Sequence, residues 1–327
     1  MILAGDIGAT KTYLGLFTKD LNGLAEAEYK SNDYNSLEAI IHQFLEYQQV
    51  DSSRITAACM GVAGPVVNHR CELTNIDWVI TAESLHQLFH GAPAALLNDL
   101  EAVGYGVPLL SEEELVALNP NGIKRPGNAA LIAAGTGLGE ALLYWNAERQ
   151  QYYPSASEGS HVNFGPRNEE EIELLRYLMR SSRCVSYEQV VSGSGLVKIY
   201  DFLKTRQDYE EPEWLAARFA QQDRAAVISE TALAKENAMC EKALDMFVAA
   251  YGAEAGNLSL KYLSLGGIYL GGGITPKIVD KLREGTFIQA FIDKEESFVQ
   301  LLNSIPVYAI LNSKTGLLGA AWYAMTL

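Results

Sequence analysis

One pattern occurs twice in this chain: an apolar run, a short turn rich in Gly and Thr, and a second apolar run. The first copy runs Met1-Ile2-Leu3-Ala4-Gly5, then Asp6-Ile7-Gly8-Ala9-Thr10-Lys11, then Thr12-Tyr13-Leu14-Gly15-Leu16-Phe17. The second starts with Ala129-Ala130-Leu131-Ile132-Ala133-Ala134, turns at Gly135-Thr136-Gly137-Leu138-Gly139, and continues Glu140-Ala141-Leu142-Leu143-Tyr144. Short apolar runs bounded by glycine read as buried strands, so each turn closes a hairpin. A P-loop and a dinucleotide fingerprint both lead from strand into helix. Neither spacing is present, which excludes a dinucleotide enzyme of that type. A hairpin turn can offer successive N–H groups and a threonine hydroxyl to an anion; it can also be an ordinary glycine turn. Two such turns, one per domain, suit the grip of a polyphosphate.

Around these hairpins the chain reads as α/β. Helical spacing of Leu37, Ile40, Ile41, Phe44 and Leu45 follows Asn35-Ser36-Leu37-Glu38, which reads as a capping box. Residues 55–60 form the next strand and residues 82–89 a short helix. The apolar run at residues 94–97 then stops at Asn98-Asp99, and Leu100-Glu101-Ala102 opens a helix. Two readings stand for that junction. Asn98 with Glu101 has capping-box spacing. Asp99 also stands at the carboxyl end of a buried strand, where open α/β sheets place ligands, and there it would serve as a general base. Residues 119–128 carry two prolines and two glycines and read as a link between domains.

Downstream, Glu158 and His161 stand three apart in a glycine-containing loop, a pair able to hold a polyol, although a lone surface His is often structural. Asn168 opens a helix whose inner face reads as Ile172, Leu175, Leu178 and Met179; Glu188 is either a ligand or a first-turn acid. The longest helix spans residues 239–262, with Gly252 and Gly256 marking close packing on another backbone. A strand ends at Gly271-Gly272-Gly273, bare backbone that suits a purine or ribose, and Thr275-Pro276 reads as a helix cap.

Composition narrows the function. A net charge of −15 repels nucleic acid and anionic membrane surfaces. Phosphates must then be held locally by backbone N–H groups and a metal ion. Cys59, Cys71, Cys184 and Cys240 are widely spread, which argues for reduced thiols in a cytoplasm and against a structural zinc site. No stretch reads as a signal peptide or a membrane span.

Taken together these residues resemble bacterial glucokinase, within the sugar kinase, actin and Hsp70 superfamily. The resemblance runs along almost the whole chain. Besides the two hairpin turns, it rests on Leu97-Asn98-Asp99-Leu100-Glu101-Ala102, Glu158-Gly159-Ser160-His161-Val162 and Ser192-Gly193-Ser194-Gly195-Leu196. Gly271-Gly272-Gly273-Ile274 and Gly316-Leu317-Leu318-Gly319 complete it. It implies a two-domain actin-like (ribonuclease H-like) ATPase fold with the active site in the interdomain cleft. A small α/β domain would take residues 1–110 plus 312–327, and a large α+β domain residues 111–311.

The reaction implied is ATP-dependent phosphorylation of D-glucose at its 6-hydroxyl, with Asp99 as base. Asn98, Asp99, Gly137, Glu158, His161 and Glu188 match sugar-contacting positions. Gly5, Asp6, Ile7, Gly8, Ala9, Thr10, Gly135, Thr136, Gly137, Gly271, Gly272 and Gly273 match the nucleotide loops. Asp6 would hold Mg²⁺ through water, and a homodimer is common in the family. Ala9 stands where the family usually has a second glycine. The alternatives are a kinase for another hexose or amino sugar, a polyphosphate-using glucokinase, or a non-catalytic sugar-binding regulator. With the first strand read from Met1, an added DNA-binding segment is not expected.

Overall fold

The computed structural model describes residues 1–73, 76–206 and 208–327. Its described residues fall into two compact units. One is Met1–Ser111 with Tyr152–Ala156 and Asn312–Leu327; the other is Glu112–Gln151 with Ser157–Leu311.

The first unit starts with an antiparallel run of β1 (Ile2–Ile7), β2 (Lys11–Phe17) and β3 (Gly23–Lys30). After α1 (Leu37–Tyr47), β4 (Ala57–Val62) adds parallel to β1. A small hairpin, β5 (Arg70–Glu72) with β6 (Val79–Thr81), precedes α2 (Ala82–Leu88). Then β7 (Ala94–Asn98) adds parallel to β4 and runs directly into α3 (Asp99–Gly106). The sheet order is β3-β2-β1-β4-β7.

Its central strands are apolar on both faces because both faces are covered. Leu3, Ile7, Ala58, Met60 and Leu96 join one cluster with Leu37, Ile40, Ile41 and Phe44 of α1. Their sequence neighbours Ile2, Ala4, Ala57, Cys59, Ala95 and Leu97 point the other way, as the two-residue period of a strand requires. They pack with Ala102 of α3 and with a helix from the end of the chain, numbered α12 below. The cap of α1 is Ser36, whose Oγ accepts the Ala39 N–H at 3.3 Å. The capping box read at Asn35 and Glu38 is therefore absent. Glu38 instead accepts the Ser84 hydroxyl at 2.9 Å.

The second unit is larger. It begins with β8 (Leu115–Ala117), the hairpin of β9 (Ala129–Ala134) and β10 (Leu138–Asn146), and β11 (Gln151–Ser157), whose middle residues group with the first unit. Helices follow: α4 (Glu169–Leu178), α5 (Gly193–Lys204), α6 (Glu213–Phe219), α7 (Arg224–Leu233) and the 25-residue α8 (Ala238–Tyr262). Then come β12 (Gly267–Gly271), α9 (Val279–Arg283), α10 (Thr286–Ile292), α11 (Glu296–Asn303) and β13 (Val307–Ile310). The strands pair in the order β10-β9-β12-β13-β8. Finally α12 (Thr315–Met325) returns to the first unit.

α8 is the centre of the second core, with Leu244, Phe247, Val248 and Tyr251 buried. Burying each such side chain is worth about 1.5–3 kcal/mol. The glycines at 252 and 256 do let another backbone approach. A Cβ at Gly252 would be only 2.9 Å from the Phe287 carbonyl carbon, and one at Gly256 3.2 Å from that of Phe291, both in α10.

Three expectations are corrected here. Residues 119–128 do not link domains; they lie inside the second unit. The Asn119 Nδ2 group donates to the carbonyls of Asn303 (3.0 Å) and Ile305 (2.7 Å), so this polar, glycine-containing loop is pinned to the turn between α11 and β13. Leu178 is buried and Leu175 packs against the core as expected, but the fully buried residues of α4 also include Glu171 and Leu174, Ile172 is only half-buried and Met179 is exposed. Glu171 is held there by Arg167, whose guanidinium donates to its carboxylate. Thr275 is not a cap: its hydroxyl donates back to the Gly271 carbonyl at 2.7 Å, and it begins a turn of 3-10 helix.

Candidate active site

In the first unit, the site is built from the carboxyl ends of β1, β4 and β7. Asp6 lies opposite Gly61 in the β1–β4 register. Gly61 is small for a reason: a Cβ there would lie 2.8 Å from the Ala102 Cβ and 3.8 Å from the Asp99 Cα. Its absence lets the start of α3 settle beside Asp6. The capping reading of the Asn98-Asp99 junction is borne out, on Asn98. Asn98 is the cap: its Oδ1 accepts the Leu100 N–H at 3.0 Å, and its own N–H donates to Glu101 Oε2 at 3.1 Å. Asp99 follows as the first helical residue at the strand's end, with Oδ1 accepting the Leu100 N–H at 2.9 Å. The Asn98 amide also donates to the Gly64 carbonyl at 3.2 Å. Burial, and then the charge of Asp99, push the Asp6 carboxyl up to about 7. The start of α12 is also near, since a Cβ on Gly316 would sit 3.4 Å from Asp6 Oδ2.

The first glycine turn lies directly beyond Asp6. Gly8 spends its N–H on the Lys11 carbonyl at 2.9 Å, which closes the turn and leaves Ala9 and Thr10 at the tip. Gly5 and Ile7 belong to β1 and are buried. At Gly5 a Cβ would overlap the Met60 sulfur, so this glycine serves packing.

The second unit repeats the device. The Gly135 N–H donates to the Gly137 carbonyl at 2.8 Å, placing Thr136 at the tip. The Gly193 N–H donates to the Gly135 carbonyl at 2.9 Å, which sets the start of α5 against this turn. Ser192 caps α5 by accepting the Gly195 N–H at 3.0 Å. A cavity of about 480 Å³ opens here, lined by Thr136, Ser194, Asp223, Ser229, Gly273 and Lys277 among others. Of the three glycines at 271–273, only Gly273 reaches it. Gly271 is buried in β12, and Gly272 takes φ +82° under the Ala134 backbone. Asp223, Ser229 and Lys277 escaped the reading of the sequence. Asp223 carries the ordinary signature of an N-cap, which it also is, accepting the Ala226 N–H at 2.8 Å.

Three further candidates converge in the same unit. Glu188 Oε2 accepts the Leu138 N–H at 3.1 Å, and its backbone N–H donates to the Ser160 carbonyl at 3.1 Å. This ties it both to the Gly137 turn and to the loop of Glu158 and His161. A Cβ on Gly137 would come within 2.5 Å of that carboxylate, so any other residue there would displace Glu188. His161 Nε2 stands 3.6 Å from Glu158 Oε2, and Nδ1 stands 3.9 Å from Glu188 Oε1. Glu158 is 82% exposed and His161 55% exposed at the side chain. An open imidazole flanked by two carboxylates is a hydrogen-bonding surface for a polyhydroxylated ligand, since it offers donors and acceptors together.

The family model described as glucokinase matches residues 3–327. The chain belongs to the glucokinase family. The glucokinase of Nostoc sp. (strain PCC 7120) is 40% identical over 344 aligned residues, covering 100% of this chain and 99% of that protein. Among solved structures, the glucokinase of an Antarctic psychrotroph is 28% identical and superposes with a TM-score of 0.85, covering 100% and 99% of the two chains. A Streptomyces griseus glucokinase of the ROK family, solved with glucose and AMPPNP, shares the fold at 21% identity and a TM-score of 0.66, with 100% and 99% coverage. The fold class is that of these kinases, two-domain and actin-like. Glucokinase-family membership makes the activity ATP-dependent phosphorylation of glucose. Among the described residues, no helix is long and apolar enough to cross a membrane.

Proposed function

We propose that the chain transfers the γ-phosphoryl group of ATP to the 6-hydroxyl of D-glucose, with Asp99 as the general base. Phosphoryl transfer asks mainly for positioning and charge neutralisation. Ala9 and Thr10 in the first unit, and Thr136 and Gly137 in the second, are the groups proposed to donate to the phosphates. The other turn glycines shape the two loops. The cavity beside Thr136 is large enough for a nucleoside and takes adenosine, with Gly273 offering bare backbone to its rings. Glu158, His161, Glu188 and Asn98 hold the remaining hydroxyls of the sugar. A polar site built this way penalises a sugar that lacks or inverts one of them. Asp99 accepts the 6-hydroxyl proton as that oxygen attacks phosphorus.

The residues fit Mg²⁺. Asp6 is a carboxylate whose ionisation is made costly by burial and by Asp99, and a cation beside it removes that cost. Mg²⁺ prefers one or two carboxylates with water and substrate phosphates over an all-protein cage. Asp6 would hold the ion, which supplies charge neutralisation at the phosphates. We extend the reading to a cytoplasmic homodimer, on the strength of family habit and of four cysteines outside any disulfide; sedimentation velocity tests the dimer.

The observation that carries the base assignment is Asp99 at the carboxyl end of β7, next to Asp6, with the capping task already done by Asn98. A coupled assay for glucose 6-phosphate with Mg-ATP, on wild type and Asp99→Ala, tests it. A folded variant should lose about 10²–10⁴-fold in kcat. Equal activity in the variant removes Asp99 from the chemistry. An inactive wild type sends the substrate search to mannose, amino sugars and polyphosphate.

A further inference from the structure

Behind the loop of Glu158 and His161 lies a buried carboxyl that the reaction does not use. Glu140, on β10, is only 2% exposed. Gly159 rests on it: a Cβ there would overlap Glu140 Oε2 and stand 3.1 Å from its Cδ. Gly159 is thus the only residue type that fits between Glu158 and His161 while Glu140 keeps its place. Glu140 Oε1 is buried and has no hydrogen-bond partner, an uncommon state for a buried polar atom.

The neighbouring charges explain this. Glu254 of α8 is fully buried and already satisfied. Its Oε1 takes the Lys261 ammonium at 3.2 Å and its Oε2 takes Asn257 Nδ2 at 2.8 Å. Asn257 Nδ2 also donates to the Tyr187 hydroxyl at 3.0 Å, immediately before Glu188. Lys261, a cation that attracts Glu140, is committed to Glu254, which repels Glu140. The strand before Gly159 contributes the Ser157 hydroxyl, which accepts the Gly159 N–H at 3.1 Å, and the turn itself brings Glu158 and His161. Among the described residues, Glu140 therefore has no counter-charge of its own. Burial, with Glu254, pushes it up to about 7, against the pull of Lys261.

We propose that Glu140 is a positioning residue: its buried carboxyl, seated under Gly159, fixes the backbone that aims Glu158 and His161 at the sugar. The proposal rests on the reading of those two residues as sugar ligands. Ionised, Glu140 becomes an unpaired buried charge facing Glu254, and the cheapest relief is to move toward water through the loop above it. Sugar affinity is then tied to the protonation of a residue that never touches sugar.

The test is the glucose KM, with kcat and the ATP KM, at pH 7 and pH 9 for wild type, Glu140→Gln, Glu140→Ala and Glu158→Ala. Misplacing a binding group by a fraction of an ångström to an ångström costs on the order of tenfold or more. Glu140→Ala should raise the glucose KM about tenfold while kcat and the ATP KM stay within about threefold. Because Glu140 is about half ionised at pH 7 and fully ionised at pH 9, a tenfold weaker ionised form should raise the wild-type glucose KM about fivefold between them, and Glu140→Gln, which cannot ionise, should lack that rise. An unchanged glucose KM in folded Glu140→Ala, or the same alkaline rise in Glu140→Gln, overturns the proposal. If Glu140→Ala does not fold, the pH profile of Glu140→Gln decides alone. Glu158→Ala separates the two levels. If it leaves the glucose KM unchanged, the reading of the sugar site fails. If it raises the KM while both Glu140 variants behave as wild type, only the positioning role fails.

Discussion

Asp6→Asn should make the metal-free, nucleotide-free protein more stable at pH 8 while destroying its activity. The Asp6 carboxyl titrates near 7 in the folded chain against 3.8 for the free side chain. A raised acid pKa means that the folded state binds more protons than the unfolded state between those values. Stability therefore falls as pH rises through the window. Below about pH 4 both states are protonated and nothing is lost; above about pH 7 the whole penalty is present. Three units at ~1.36 kcal/mol each give a penalty on the order of 4 kcal/mol. Because Asp6 keeps part of its surface in water, that figure is an upper limit. Most of it, roughly 2.6 kcal/mol, develops between pH 5 and pH 8. Asparagine cannot ionise and removes it.

The assay is urea denaturation at pH 5 and pH 8 in the presence of a chelator. Glu140 titrates in the same range, but it is unchanged in the variant and cancels in the comparison. The expected result is a pH 5 to pH 8 loss that is smaller in Asp6→Asn than in wild type by up to about 2.6 kcal/mol. Equal losses in the two proteins would refute the reasoning, because Asp6 would then not carry the burial penalty assigned to it. The accompanying loss of activity would mark Asp6 as a residue retained at a cost in stability for the charge it offers a cation.

Glu101→Ala removes one carboxylate that serves two backbone donors, Asn98 and Ala156 (3.1 and 3.2 Å). It should destabilise the protein by about 1–2 kcal/mol in urea titrations. Gly272 and Gly273 should separate structure from binding. Gly272→Ala forces a side chain onto φ +82° against the Ala134 backbone, and should cost about 1–3 kcal/mol of stability. Gly273→Leu enters open space at the edge of the cavity; it should leave the melting temperature nearly unchanged and raise the ATP KM about tenfold. Phe247→Ala, in the middle of α8 with no surface exposed, should cost about 3–5 kcal/mol without changing the KM of the folded fraction.

The parts that were legible in the sequence are those where a local rule and the tertiary structure agree. The β1–β2 and β9–β10 hairpins were visible because runs of apolar residues break at Gly-Thr turns, and both faces of the central strands are buried. α1 was visible because every residue of its stripe, from Leu37 to Leu45, faces one core. The errors fall where a partner outside the local pattern decides. At Glu171 the partner is close, Arg167 four residues earlier, but it lies before the helix begins, so the helical pattern alone does not show that this charged residue points inward. Residues 119–128 have the composition of a linker, yet Asn119 is anchored by carbonyls more than 180 positions away. Glu140 reads as an ordinary strand residue, and only the fold places it under Gly159. At the Asn98-Asp99 junction the capping spacing was legible because Asn98 and Glu101 do form the box that the local rule describes.

The division of the chain has a consequence for its birth on the ribosome. One face of the first sheet, formed by Ile2, Ala4, Ala57, Cys59, Ala95 and Leu97, is covered by α3 and by α12. α3 is made early, whereas about 200 residues separate Ser111 from Asn312, where the unit resumes. At about 5–20 residues per second, that apolar face waits roughly 10–40 s for Leu317, Ala320, Ala321 and Ala324 to close over it. During that interval the nascent chain carries an adhesive surface, so trigger-type chaperones should crosslink to Ala57 and Leu97 positions in stalled chains of about 300 residues and release them once α12 has emerged.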